Sequence, residues 1–416
     1  MRRAYLRIAV VAALAFARPA AADTVSDWWE LANRISNASQ AAPGSTRTAE
    51  GERALTRVAL AMFEALNAID RRYESYLGFP AGDPAASQDA AAATAAHRVL
   101  LHHFPTQKTA LDDTYALFMA GITDERAREA GRAIGERAAA AAQTAGGIDS
   151  TVVQVPYRPR TTPGEWIGAA LPALQPHWAA LRPWAAQDPD ALRPPPPPPL
   201  GSERWARDYE EIRRLGSRTS TERTPVQTLM ARYREAPDAV PSFRTAAEAP
   251  GRRPVQNARM IALVQMATDD ATQAMVVAKL HYNYWRPITA IRNGAGDGND
   301  ATAPDPAWVP LLATPNFPEY PCGHCTWAAA IAEVMKAEVG PAPPGGVRIA
   351  SQSIPNSVVQ VLPSWDEWVR QVSDARMYGG VHYRFSNEAG EEVGRRAARL
   401  VLEKVMRPLS QRSARR

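Results

Sequence analysis

Ala49-Glu-Gly-Glu-Arg-Ala-Leu55-Thr-Arg-Val58-Ala-Leu60-Ala-Met62-Phe63-Glu-Ala-Leu66-Asn-Ala-Ile69 sets large apolar side chains at positions 55, 58, 60, 62, 63, 66 and 69. That spacing follows the 3.6-residue period of a buried helix face and not the alternation of a half-buried strand. Working outward, Ala-rich segments over 86–103, 108–121 and 124–146 read as further helices. So do 254–284, 323–339, 365–376 and 387–406, with Gly340–Gly346 and the Gly379-Gly380 pair as breaks. Between 146 and 163 periodicity is weak, and Val152-Val153-Gln154-Val155 is the one strand-like piece; 294–318, rich in Gly, Asp, Asn and Pro, reads as loop. No alternation sufficient for a sheet appears. The expected fold is all-α, a large helical bundle.

Residues 1–22 stand apart from that bundle. Arg2, Arg3 and Arg7 form a charged start, Ile8–Ala17 an apolar run too short to span a bilayer, and Ala20-Ala21-Ala22 a small-residue cleavage site. This predicts a signal peptide, with a likeness to twin-arginine export signals, and a periplasmic or secreted protein. Removing Arg2, Arg3, Arg7 and Arg18 lowers the formal charge from +5 to +1, so the basic balance gives no argument for nucleic acid. No other segment suggests a membrane span. The remaining chain divides into a helical region 23–193, a connector 194–201 built on the six prolines Pro194–Pro199, and a helical region 202–416, expected to form one continuous bundle.

Three short elements carry chemistry. Lys279-Leu-His-Tyr-Asn-Tyr-Trp-Arg286-Pro287 puts two cations seven residues apart, two turns along one helix face, with Pro287 ending or kinking the helix. Two cations among aromatic residues suit an oxyanion with several negative oxygens. Pro321-Cys322-Gly323-His324-Cys325 opens a helix, whose free N–H groups and positive end favour an anion; Gly323 allows close approach and His324 titrates near neutrality. Arg376-Met-Tyr-Gly-Gly-Val-His382 adds an Arg and a His about a glycine break, and is expected to present them from a loop and a new turn.

In this order and spacing the three elements resemble the vanadium-dependent haloperoxidases and the type 2 phosphatidic acid phosphatase superfamily, including bacterial class A acid phosphatases. Tyr284-Trp285-Arg286-Pro287, Phe317-Pro318-Glu319-Tyr320, His382-Tyr383-Arg384-Phe385 and Ala61–Asp70 extend the likeness toward the haloperoxidase branch. The resemblance implies that His382 is the nucleophile of a phosphatase or the axial ligand of vanadate, and that His324 is the general acid–base. Lys279, Arg286, Arg376 and the Gly323 N–H would hold the oxyanion oxygens. It implies vanadate as cofactor for a haloperoxidase and none for a phosphatase. Substrates would be a small phosphate ester, or a halide and peroxide, with a homodimer as the expected assembly.

Two positions depart from the family pattern. Cys322 stands where a serine usually donates to an oxyanion oxygen, and a thiol is the weaker donor. Ser386 stands four residues after His382, where an aspartate commonly orients that histidine; Ser386 or Glu388 is expected to take the role. Cys322 and Cys325 also form the tetrapeptide of protein disulfide isomerases, which leaves a Cys-x-x-Cys thiol–disulfide oxidoreductase as an alternative. Such sites follow a strand in a thioredoxin-like sheet, whereas here the motif sits in a helical chain. The pocket residues would equally serve an enzyme that is a phosphatase only, or an oxyanion-binding protein without turnover.

Overall fold

The longest described helix, Pro254–Tyr282, is buried on nearly every side, from Val255 to Lys279, which places it at the centre of the molecule. The computed structural model describes residues 23–41, 49–148, 158–168, 176–186, 188–354 and 356–409. The expected signal peptide at 1–22 and the Val152–Val155 run lie outside the described residues. In chain order the helices are α1 (Thr24–Ala41), α2 (Ala49–Ile69), α3 (Gln88–His103), α4 (Lys108–Ala120), α5 (Glu125–Gln143), α6 (Glu203–Leu215) and α7 (Pro225–Tyr233). They continue as α8 (Val240–Ala247), α9 (Pro254–Tyr282), α10 (Pro287–Arg292), α11 (Gly323–Val339), α12 (Trp365–Tyr378) and α13 (Arg384–Lys404).

The fold is helical, as the periodicity predicts. The structure adds α1 and α6–α8, which the apolar pattern of the sequence does not single out. It also adds a small antiparallel sheet where none is expected: β1 (Pro237–Asp238), β2 (Val347–Ser351) and β3 (Gln360–Leu362), in that order, with Val347 opposite Leu362. Strands of two to five residues are too short for alternation to show.

One apolar core joins the two halves. Val58, Met62, Phe63 and Leu66 of α2 belong to the same cluster as Met260, Ile261 and Leu263 of α9, Ile331 and Met335 of α11, and Trp365 and Trp368 of α12. Two buried carboxylates on α9 are satisfied by hydrogen bonds. Asp269 accepts from Arg53, Thr56 and the Trp184 indole, and Asp270 accepts from the backbone N–H groups of Trp184, Ala185 and Ala186. The proline connector lies on the bundle rather than away from it: Tyr282 Oη donates to Pro194 O (2.6 Å) and Tyr320 Oη to Pro195 O (2.7 Å).

Glycine sets the tightest crossing. A Cβ at Gly390 or Gly394 of α13 would lie 2.4 Å from Cys322 O and 2.2 Å from Thr326 O, so the backbone of α13 rests on the first turn of α11. This fixes the height of the Pro321–Cys325 element relative to the other site residues.

Candidate oxyanion site

Lys279 lies in the last turn of α9, but Arg286 does not share that helix. Asn283 adopts the left-handed conformation (φ 44°) and caps α9, and Arg286 is extended (ψ 154°) just before Pro287 opens α10. The two cations therefore converge through a helix–loop–helix corner, not along one face as the spacing suggests. Arg376 occupies the last turn of α12, and His382 follows the Gly379-Gly380 turn, two residues before α13 begins. Arg376 thus stands on a helix, where the glycine break predicts a loop.

Backbone carbonyls of the 317–321 stretch bind the first two cations. Lys279 Nζ donates to Pro318 O (3.0 Å), Glu319 O (2.7 Å) and Pro321 O (2.5 Å). Arg286 donates through Nε to Phe317 O (2.9 Å), and through Nη1 to Val381 O (2.9 Å) and His382 Nε2 (3.2 Å). The Phe317 ring lies over both, 5.1 Å from Lys279 Nζ and 4.7 Å from the Arg286 guanidinium. Arg376 is buried like the other two, but its Nε and Nη1 have no protein partner. Leaving two such donors unpaired in a dry interior is costly, which marks the place where a ligand's oxygens are expected.

His382 is held from both ring nitrogens. Because arginine only donates, Nε2 must accept from Arg286, and Nδ1 must carry the proton and donate to Glu319 Oε1 at 2.7 Å. The same Oε1 accepts from the Tyr383 N–H (3.1 Å). Burial, then the Arg286, Lys279 and Arg376 charges, hold the His382 imidazole well below its usual range, so it is neutral. Burial raises the Glu319 carboxyl to about 7, against the pull of Arg286 and Lys279. His324 Nε2 lies 2.9 Å from Glu235 O; burial and the Arg376 charge lower its pKa.

The orienting contact expected from Ser386 or Glu388 is made by Glu319. Glu388 is exposed and pairs with Arg204 at 2.6 Å. Ser386 is buried and its carbonyl accepts from the Cys322 N–H (3.1 Å). Its hydroxyl lies near Glu319 without a well-formed hydrogen bond. Both residues belong to the first turns of α13, whereas Nδ1 of His382 faces the extended segment before α11. The signal that could have found Glu319 was an acid in an otherwise apolar Phe-Pro-Glu-Tyr-Pro run. Cys322 also departs from expectation. It is bridged to Cys325, and its Sγ accepts from the Cys325 N–H (3.2 Å), so it caps α11 and offers no proton to an anion. An aromatic wall of Trp205, Tyr284, Trp285, Tyr320, Tyr383 and Phe385 backs the site, with Trp205 stacked on Trp285 at 5.8 Å.

Residues 259–411 match the family model described as the VCPO second helical-bundle domain. Over 89 residues the chain is 33% identical to the vanadium chloroperoxidase of Curvularia inaequalis, a stretch that covers 19% of this chain and only 14% of that protein. The first bacterial vanadium-dependent iodoperoxidase superposes with a TM-score of 0.75 at 20% identity, over 93% of this chain and 97% of that one. A holo-type bacterial vanadium-dependent chloroperoxidase superposes with a TM-score of 0.65 at 17% identity, over 85% and 90%. At these identities the structural likeness establishes the shared helical fold.

Proposed function

We propose that the chain is an exported member of the vanadium haloperoxidase and type 2 phosphatidic acid phosphatase superfamily, an enzyme whose Arg376–His382 pocket binds vanadate and oxidises halide with peroxide. The observation that carries this reading is the buried Arg376, with two N–H groups unpartnered beside a neutral histidine and a helix N-terminus. The residues fit a vanadate anion: Arg376 and the Gly323 N–H would hold its oxygens, His382 Nε2 would be its ligand, and Lys279 and Arg286 would supply further positive charge. When bound, vanadate supplies a Lewis-acidic centre that activates peroxide toward a halide.

The chain's own groups do the rest. Glu319 holds the Nδ1 proton of His382, which leaves Nε2 unprotonated; Arg286 Nη1 donates to that lone pair and would have to yield it to a ligand. Arg286 shields that lone pair from protonation. His324, kept neutral by burial and then by the Arg376 charge, is placed to take or give a proton at the pocket's edge. The aromatic wall keeps water from the inner side. The disulfide removes a free thiol that hypohalous acid would oxidise. Export rests on the composition of residues 1–22; among the described residues no helix is long and apolar enough to cross a membrane.

A second reading, phosphomonoester hydrolysis, is favoured by the same fixed tautomer, since a neutral histidine with an oriented Nε2 is a nucleophile. Both activities are to be measured on one preparation: vanadate- and peroxide-dependent oxidation of iodide, bromide and chloride, and p-nitrophenyl phosphate hydrolysis. Halide oxidation is expected to exceed hydrolysis, and His382→Ala is expected to lower either by about a thousandfold or more. Unchanged turnover in that variant removes His382 from the chemistry and sinks the assignment.

A further inference from the structure

The Cys322–Cys325 bridge is more than a substitution in a familiar motif. Cys322 is the N-cap of α11 and Cys325 its third residue, so the two sulfurs sit at the N-terminal end of that helix, next in the chain to Gly323 and His324. Both are fully buried. The site around them is ready for the reduced pair as well. Asn387 is held by its Nδ2 donating to Ser373 O (2.8 Å), which turns Oδ1 to within 3.4 Å of Cys325 Sγ. A bridged sulfur has no proton for that oxygen, whereas a Cys325 thiol does. Cys322 in turn keeps the Cys325 N–H, and Lys279 binds the carbonyl of the preceding Pro321. A sulfur so placed, at a helix N-terminus, is favoured as thiolate.

We propose that Cys322 and Cys325 are a second peroxide-reactive centre that gates the oxyanion pocket: as thiols they keep anions out, and as a disulfide they admit them. In the reduced chain the Cys322 thiolate places negative charge where an oxyanion binds, and it competes for the same cations and N–H groups. Its sulfur attacks hydrogen peroxide, forming an S–O bond as the O–O bond breaks and releasing hydroxide. The Cys325 sulfur then displaces the second oxygen from Cys322, forming the S–S bond. Its proton and one from solvent convert the two oxygens to water. Two thiols and one peroxide thus give one disulfide and two waters. The charge leaves the pocket, and the co-substrate of the proposed reaction switches the pocket on.

This inference rests on the oxyanion-pocket reading, so the test separates the two. The full chain is prepared bridged, and reduced with the reductant removed under argon, and its affinity for inorganic phosphate is measured by equilibrium dialysis at pH 8. The bridged chain is expected to bind about tenfold more tightly or better, as removal of a like charge requires. One equivalent of hydrogen peroxide should consume both thiols of the reduced chain and restore the tight form. Cys325→Ser should bind phosphate as weakly as the reduced chain, and on peroxide treatment should give a dimedone adduct at Cys322. Cys322→Ser should bind tightly with or without peroxide and give no adduct at Cys325. Far-UV circular dichroism checks that each variant is folded. Equal phosphate affinity for bridged and reduced chains, or thiols that survive peroxide in the folded protein, overturns the gate and leaves the pocket standing. Failure of every form to bind phosphate or vanadate overturns the pocket reading and the gate with it.

Discussion

At α3 and at α11 the chain builds the same joint and uses it for different ends. Gly131 and Gly135 of α5 cross the start of α3, where an added Cβ would lie 2.3 Å from Ser87 O and 2.5 Å from Ala91 O. Gly390 and Gly394 of α13 cross the start of α11 in the same way, over Cys322 O and Thr326 O. In each the N-cap side chain accepts the N–H three residues on, Ser87 from Ala90 and Cys322 from Cys325, both at 3.2 Å. The difference lies in what meets the helix end. The first turn of α3 carries its own acid, Asp89, which accepts from Thr24. The first turn of α11 carries none, and Lys279, Arg286 and Arg376 are brought toward it from three other places in the chain. A helix N-terminus supplies only about half a charge. The proposed anion site at α11 rests on the side chains that other elements bring to it.

The sharpest way to break this comparison is to wedge the two crossings apart. Gly390→Ala pushes against the backbone of Cys322, and the misfit should cost about 1–3 kcal/mol of stability, as overpacking does. It should also lower turnover per folded molecule, because Gly323 and His324 move with Cys322. Gly131→Ala meets backbone at a similar distance and should cost a similar amount, with turnover per folded molecule unchanged. Chemical denaturation paired with kinetics normalised to folded protein reads both. Equal losses of turnover would mean that the crossings are not functionally distinct.

This contrast also shows where a sequence is informative and where it stops. The 3.6-residue period of α2, α5 and α9 is a local property, so the helical fold was legible. The cations and histidines of the candidate site stood out because they lie in three short elements whose order and spacing carry the resemblance. Glu319 was not. Its partner, His382, lies 63 residues on, while Ser386 and Glu388 lie within two turns of it. The glycine pairs were not legible either, since a glycine within a helical pattern reads as a weak spot until the facing carbonyl is seen. The end of α9 at Asn283 was hidden by Pro287, the stronger stop signal, four residues later.

Glu319 offers a second test, one that touches only the α11 joint. Ionised, it accepts the His382 Nδ1–H; protonated, it does so poorly, so activity should rise with pH through about 7. The sign for stability is opposite. A carboxyl whose folded pKa is raised above the ordinary 4.5 contributes stability below that value, and this is lost as pH rises through about 7. Glu319→Gln should therefore be more stable than the wild type at pH 8, by about 3 kcal/mol, and roughly tenfold less active. Its pH–rate profile should lack the rising limb near 7. A limb that persists in the variant would assign that titration to another group.

The smallest effect is expected at the other joint. Ser87→Ala removes a capping hydrogen bond where only capping is at stake, and should cost about 1 kcal/mol, with phosphate affinity and halide oxidation unchanged. Cys322→Ala removes a cap of the same geometry together with the bridge. Comparing its unfolding free energy with that of Ser87→Ala isolates what the disulfide adds to stability, because the capping contribution is common to both. If the two variants lose equal stability, the bridge contributes little to holding α11, and its place at the pocket is a matter of charge and redox state.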